Sequence, residues 1–379
     1  MDQFLSIRPY QDHEVEDVLE SLINNFDVLK ALIGLQYPKY FTKIPLFKFY
    51  VKQRLKYKAR NIKTINDYQD IFKDLMDRVV DESISNFSVN GISKLDNANS
   101  YLFISNHRDI SLDAALLNLS LYKSNHKTFN IAVGNNLMEE TWASDLMRLN
   151  KSFIIHRSGG TKKEIYKNLL LASQFIQKTI FEINESVWIA QKQGRAKDGL
   201  DETDPALLKM IHLNKRKSHS VAEHFNSLNL VAVSISYELD PNDRLKAIEL
   251  NATDKNIIYE KKRNEDFNSI ANGITGLKGN VSINLSEPLN FDVEASYDDI
   301  AEIITNMIIE MYELHPTNCA AASILGVNYK NKSKFSLDDI NKSKQTLEKR
   351  MKGLGEGACS KFLEQYANPV MQKIKLNKS

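Results

Sequence analysis

Apolar residues recur along this chain at two different spacings. Through residues 12–33, Val15, Val18, Leu19, Leu22, Ile23, Phe26, Leu29 and Leu32 fall three and four apart, the stripe of an amphipathic helix. The same spacing predicts a helix over 67–86, with Ile71, Phe72, Leu75, Met76, Val79 and Val80 on one face. From Phe87 the pattern changes. Short apolar runs at 87–92, Tyr101–Ile104, Phe129–Val133, Phe153–Ile155, Val187–Ala190, Leu230–Ser236 and Val281–Leu285 predict strands. Helical patterns at 113–122, 137–149, 161–183 and 205–227 alternate with them, which implies an α/β sheet with helices on its faces. Residues 297–313 and 336–366 predict further helices. Three regions follow: a helical one over 1–86, an α/β domain over 87–290, and a helical C-terminal extension over 291–379.

Charge changes this picture in one place. Over the 379 residues the net charge is only +2, so no global argument for a polyanionic partner arises. From Val28 to Asn66, however, there are ten Lys or Arg and no Asp or Glu. Tyr37, Tyr40, Phe41, Phe47, Phe49, Tyr50 and Tyr57 are interleaved with them. Such a segment suits an anionic membrane surface, where each basic residue contributes about 1 kcal/mol. In that reading residues 36–60 dock, with Lys39, Lys43, Lys48, Lys52, Arg54, Lys56 and Lys58 at headgroups and Phe41, Phe47, Phe49 and Tyr50 in the interface. The alternative is a solvated basic helix that packs its aromatics on the main domain. No nucleic-acid recognition motif accompanies the charge.

Composition bounds the rest. Apolar residues are 42% and charged ones 26%, as in a soluble globular protein able to bury a sizeable core. Two cysteines, Cys319 and Cys359, suggest no disulfide framework and a reducing compartment. Met1-Asp2-Gln3-Phe4 lacks the basic region and apolar run of a signal peptide, and no stretch approaches the ~18–20 apolar residues of a membrane span. A cytoplasmic protein that meets lipid from the membrane surface is the expectation.

The candidate chemistry centres on Ser105-Asn106-His107-Arg108-Asp109-Ile110-Ser111-Leu112-Asp113. It lies between the apolar strand Tyr101–Ile104 and a helical pattern beginning with Ala114, so His107 sits on a strand-to-helix turn. A His with a nearby Asp is the smallest oriented general base: the carboxylate fixes the tautomer and stabilises the imidazolium. Asp113 is equally placed to cap the helix, and Asp109 is a second carboxylate within reach. A protein-kinase loop is excluded, because Ala114 stands where its Asn belongs and no Asp-Phe-Gly follows. Further on, Phe153-Ile154-Ile155-His156-Arg157 and Val187-Trp188-Ile189-Ala190 each lead into cations just past a strand's C-terminal edge. Arg157, Arg195 and Lys197 could clamp a phosphate, and Gly194 would let the backbone approach it.

In order, these blocks resemble the glycerolipid acyltransferases, the lysophospholipid acyltransferase superfamily, whose signature is Asn-His-x4-Asp between a strand and a helix. Here five residues separate His107 from Asp113. The family's second block is like Phe153 to Arg157, and its third like Trp188 to Arg195, with Gln193 in place of the usual Glu. Its fourth is like Leu230 to Glu238, with Ala232 where Pro is common and a Ser-Tyr-Glu ending closer to the glycerol-3-phosphate branch. The resemblance covers roughly residues 87–290 and implies a mixed sheet flanked by helices. It also implies transfer of a fatty acyl group from acyl-CoA or acyl carrier protein to glycerol 3-phosphate or a lysophospholipid. His107 would be the base and Asp113 its partner, while Asn106, Arg157, Gln193, Gly194, Arg195 and Lys197 would line the substrate. No metal or bound cofactor is implied. The rivals are a thioesterase-like hydrolase using the same pair with water, and a non-catalytic lipid-surface binding protein that has kept the fold.

Other chemistry has little support. His212, His219 and His224 lie in a basic stretch without metal-ligand spacing and are expected on a solvated helix and loop. Gly-x-Ser-x-Gly is absent. Gly273, Gly276 and Gly279 fall in an expected turn region and make no phosphate loop.

Overall fold

The structure, a computed structural model, describes residues 1–37, 39–135, 141–255, 259, 265–327 and 334–378. In chain order it begins with α1 (Val15–Asn24), α2 (Phe26–Gln36), α3 (Pro45–Ala59), α4 (Ile65–Ser83), β1 (Ile84–Asn90), β2 (Leu102–Ser105) and α5 (Leu112–Lys123). Next come β3 (Asn130–Gly134), α6 (Thr141–Leu149), β4 (Ser152–Ile155), α7 (Lys162–Phe181), β5 (Val187–Ala190), α8 (Pro205–His212), α9 (Val221–Ser227) and β6 (Leu230–Tyr237). The last part holds α10 (Asp243–Asp254), α11 (Glu265–Thr275), β7 (Gly279–Leu285), α12 (Tyr297–Met311), α13 (Pro316–Ile324), α14 (Leu337–Met351) and α15 (Glu356–Leu376). No helix among the described residues is long and apolar enough to cross a membrane.

Three helices expected as single pieces are broken, two of them by side-chain caps. The 12–33 pattern divides at Asn25, whose side chain accepts from the backbone N–H groups of Asp27 and Val28 and starts α2. The 205–227 pattern divides before Ser220, which forms a capping box with Glu223. The 336–366 pattern divides at Lys352–Gly355, and α15 then continues through Pro369 to Leu376. A proline inside a helix costs about 3 kcal/mol, which burial of Phe362, Tyr366 and Val370 at roughly 1.5–3 kcal/mol each offsets. Of the expected helix 137–149, residues 137–140 lie outside the described residues. Helices α10, α11 and α13 were not expected.

Contacts group the chain into two compact units, Met1–Asp77 with Phe129–Lys178, and Arg78–Thr128 with Thr179–Ser379. These do not follow the expected boundaries after residues 86 and 290. In the first unit Val15, Leu19 and Leu22 of α1 pack with Val28, Ile62 and Leu149, and Trp142 and Leu146 of α6 join them. Its strands β3 and β4 pair in parallel, Ile131 opposite Ser152 and Gly134 opposite Ile155.

The second unit holds five strands in the order β1-β7-β6-β2-β5. Pairing is parallel except between β6 and β7, so the sheet is mixed. Strands β2 and β6 are buried at every position, which explains continuous apolar runs in place of alternation. Helix α5, which follows β2, is buried from Leu112 through Leu121. A second core lies among the last helices, where Ala320, Ala321 and Ala322 of α13 are fully buried with Leu347, Phe362 and Tyr366. Small side chains there let α13 and α15 approach closely.

Candidate active site

Strand β2 is flanked on both sides by parallel partners, β5 and β6, and ends at Ser105. The chain then turns sharply before α5, and Asp109 shapes that turn. Its Oδ1 accepts from the N–H groups of Ser111 at 3.1 Å and Leu112 at 3.0 Å. Asp113 follows in the first turn of the helix, fully buried. Its Oδ2 lies 2.8 Å from His107 Nδ1 and accepts from the backbone N–H of Arg108 at 2.6 Å and of Asp109 at 3.0 Å. Its Oδ1 accepts from the Tyr237 hydroxyl at 2.8 Å. Asp113 is therefore the carboxylate paired with His107, and Asp109 is spent on the turn. Gly273 packs against Asp109, where any Cβ would overlap its carboxylate.

A carboxylate only accepts, so the neutral imidazole carries its proton on Nδ1, and Nε2 keeps a free lone pair. Among the described residues nothing hydrogen-bonds Nε2. The His107 side chain is 15% exposed. Its ring meets Trp188 edge to face at 5.9 Å, and Trp188 donates in turn to Ser105 Oγ at 3.0 Å.

Under this pair lies a buried polar layer. Asn106, expected at the substrate, is fully buried instead. Its amide exchanges hydrogen bonds with the backbone of Ile235 at 2.8 and 3.0 Å and donates to Asp201 at 3.2 Å. It ties β2 to β6 and does not reach a ligand there. Arg108 donates to Asp201 Oδ2 at 2.6 Å, and Gln191 donates to Asp201 Oδ1 at 3.2 Å. Burial pushes the Asp201 carboxyl up despite Arg108 and Asn106. The opposite balance holds at Asp240: burial raises it, but Lys246 outweighs burial and holds it below the usual range. Lys246 also donates to the Arg108 carbonyl at 2.7 Å. Among the described residues Arg108 Nη1 has no hydrogen-bond partner, and Arg108 borders a small cavity shared with Tyr237, Tyr312 and Tyr366.

The segment after β5 closes on this turn. Ala196 donates its N–H to the His107 carbonyl at 2.8 Å, which sets Arg195 beside the His107 loop. Arg195 donates to Ser269 Oγ of α11 at 2.8 Å, and no carboxylate pairs with it among the described residues. Lys197, expected at a phosphate, forms an ion pair with Glu249 of α10 instead. Gln193 and Gly194 are exposed, and Gly194 has φ +78° with open space around it. Arg157 closes β4 in the first unit, its N–H donating to Asn135 Oδ1 at 3.3 Å.

Residues 86–191 match the family model described as Acyltransferase, and the matched segment holds both His107 and Asp113. Over that segment the chain is similar to the acyltransferases. Among solved structures it is similar to the 1-acyl-sn-glycerophosphate (LPA) acyltransferase PlsC from Thermotoga maritima, at 13% identity and a TM-score of 0.39, covering 75% of this chain and 91% of that one. No curated protein matches the chain.

Several groups that support the His107–Asp113 pair lie beyond the matched segment and were missed by sequence reasoning. Tyr237, Asp201 and Ser269 reach the turn from 74 to 124 residues away from their partners, without any local signal. The end of the chain contributes as well. Gln372 of α15 accepts from the Asp201 N–H at 2.9 Å and donates to its carbonyl at 2.8 Å. Asn368 donates to the Asp198 carbonyl at 2.7 Å. Gly199, at φ +78°, lies so close to the Gln365 carbonyl that a Cβ would overlap it. His212 and His224 are buried and stacked 4.7 Å apart, not solvated as their basic surroundings suggested.

Proposed function

We propose that this chain moves a fatty acyl group from the thioester of acyl-CoA or acyl carrier protein to a hydroxyl of glycerol 3-phosphate or a lysophospholipid, a step of phospholipid synthesis. One observation carries the reading: the 2.8 Å contact of His107 Nδ1 with buried Asp113 inside the segment similar to the acyltransferases. With the proton held on Nδ1, Nε2 takes the proton of the acceptor hydroxyl. The oxygen attacks the thioester carbon, the C–S bond breaks, and the departing thiolate receives the proton back from Nε2. No acyl-enzyme is needed. Arg195, next to the His107 loop and without a carboxylate partner among the described residues, pairs with the acceptor's phosphate. Exposed Gln193 offers a neutral amide to a hydroxyl. Arg157 is assigned a phosphate ligand by the family resemblance alone.

Helix α3 supports a membrane-surface location on the cytoplasmic side. Leu46, Phe49, Tyr50 and Tyr57 fall at spacings of three, four and seven, so they share one face, and all are exposed, Leu46 by 81%. Basic residues flank this stripe, Lys52 and Lys56 on one side and Arg54 and Lys58 on the other, while Lys48 lies over the Phe26 ring at 4.3 Å. Phe41 and Phe47, expected in the interface, pack against each other at 4.5 Å and so belong to the underside. Pro38, within the proposed docking segment, lies outside the described residues. An exposed apolar stripe in a cationic frame fits an anionic bilayer. Flotation with anionic vesicles should weaken with salt, and Lys48→Gln, Lys52→Gln, Lys56→Gln and Lys58→Gln together should abolish the salt-sensitive part. Equal binding by that variant would leave α3 as a solvated cap.

The activity is tested with pure full-length protein, labelled acyl-CoA or acyl carrier protein, and a panel of glycerol phosphates and lysophospholipids. A new ester that disappears in folded His107→Ala is expected. Free fatty acid formed regardless of acceptor would make the protein a hydrolase. Turnover of neither thioester would favour a lipid-surface binding protein.

A further inference from the structure

We propose that Tyr237 is a positioning residue of the reaction, its hydroxyl fixing the carboxylate that orients His107. The idea rests on His107 being the base. Asp113 Oδ2 is held by three donors, namely His107 Nδ1 and the N–H groups of Arg108 and Asp109. Oδ1 has a single donor among the described residues, the Tyr237 hydroxyl at 2.8 Å. Both residues are buried, so water does not replace that bond.

Two features make the contact more than packing. The first is its origin. Tyr237 ends β6, whereas Asp113 begins α5, so the bond locks the catalytic turn to the sheet from the side opposite its own backbone donors. The second is its constancy. Burial, with Asp113 and Asp109 nearby, pushes the Tyr237 hydroxyl well above its ordinary range, so it remains a donor throughout any working pH. The other charged groups around the turn are engaged elsewhere: Asp109 on the turn, Arg108 on Asp201, and Lys246 on Asp240 and the Arg108 carbonyl. None of them is bonded to Oδ1.

The test is Tyr237→Phe in the full-length protein, which removes one oxygen and keeps the ring. Losing the bond leaves Oδ1 unpaired and the carboxylate less firmly fixed, though still on His107 Nδ1 through Oδ2, so kcat should fall roughly ten- to hundredfold, the span of a hydrogen bond to a charged group. Both KM values should stay within about twofold. Less of the Asp113 charge is then spread onto a donor, so it holds the imidazolium proton more tightly. The acid limb of kcat/KM should move to higher pH by roughly half a unit to one unit, within the reach of a neighbouring charge. ¹⁵N-histidine NMR reads the same shift without substrate, the His107 signal being the one absent from His107→Ala. Wild-type kcat with an unmoved limb would overturn the proposal, as would lost activity with an unmoved His107 titration and a lowered Tm. If the Phe variant fails to fold, 3-fluorotyrosine incorporated at position 237 strengthens the donor and must move the titration downward. An unmoved signal there also overturns the proposal. If the wild type transfers no acyl group while the NMR shift appears, the acyltransferase reading fails and the Tyr237 coupling stands.

Discussion

Asp113→Asn separates orientation from charge at the centre of this protein. The amide can place its oxygen where Oδ2 now accepts from His107, Arg108 and Asp109, and its NH2 can donate to the Tyr237 oxygen. The reverse orientation would face NH2 against two backbone N–H groups, so one rotamer is strongly preferred and the fold should survive. What disappears is the negative charge beside the imidazolium formed during catalysis. At the 2.8 Å contact distance and an effective dielectric of about 20, that attraction is about 6 kcal/mol, and about 4 kcal/mol if the charge centres lie ~4 Å apart. At roughly 1.36 kcal/mol per tenfold, kcat/KM should fall by about 10³–10⁴. The comparison is Asp109→Asn, whose amide oxygen can still accept from Ser111 and Leu112, and which should cost less than about tenfold. Acyl transfer by both variants is measured alongside thermal unfolding. Turnover that survives in Asp113→Asn but not in Asp109→Asn would refute the pairing.

Arg195→Ala should raise the acceptor KM or lower kcat/KM by roughly 10–150-fold, with the donor KM unchanged. The same measurement on Arg157→Ala tests its assignment independently. Gly199→Ala should destabilise by about 1–2 kcal/mol for the left-handed backbone and about 1–3 kcal/mol for the overlap with Gln365. Gly194→Ala, at the same φ but in open space, should show only the first cost; equal melting temperatures for the two variants would argue against the close approach. Burial and the neighbouring His212 hold His224 down at about 3, whereas an unfolded chain takes up its proton near 6.5. The folded state therefore binds fewer protons, and stability should fall as pH drops below about 6.5 and continue to fall toward about 3. His224→Gln should flatten that slope in melting curves recorded at pH 7 and pH 5.

Local rules made part of this legible. Val187–Ala190 is a strand with the expected ends because polar Ser186 and Gln191 bound a purely apolar run. His107 and Asp113 could be paired on paper because only five residues and a turn separate them. The helices that escaped notice share a cause. Helix α13 is rich in Ala and is buried on most sides, so it has no period to detect, and α10 buries Asp243 and Lys246 where a pattern requires apolar residues. The long helices were overextended because side-chain caps at Asn25 and Ser220 outweighed a continuing stripe. Asn106 and Lys197 looked like ligands because nothing local reveals that Ile235 and Glu249 meet them.

The grip of α15 on the segment after β5 has a consequence for how the protein is made. Gln372 and Asp201 are separated by 171 positions, so their bonds close only after α15 has been made. Contacts of such long range come late, because loop closure must precede any gain from them. A nascent chain that has released β2, β5 and β6 already owns His107 and Asp113, but the backbone N–H and carbonyl of Asp201 still lack their partner. Synthesis from the N-terminus thus makes α15 the piece that completes the centre. A protein ending before residue 356 would carry the whole segment recognised as an acyltransferase domain and still lack the strap that holds Arg195's loop in place.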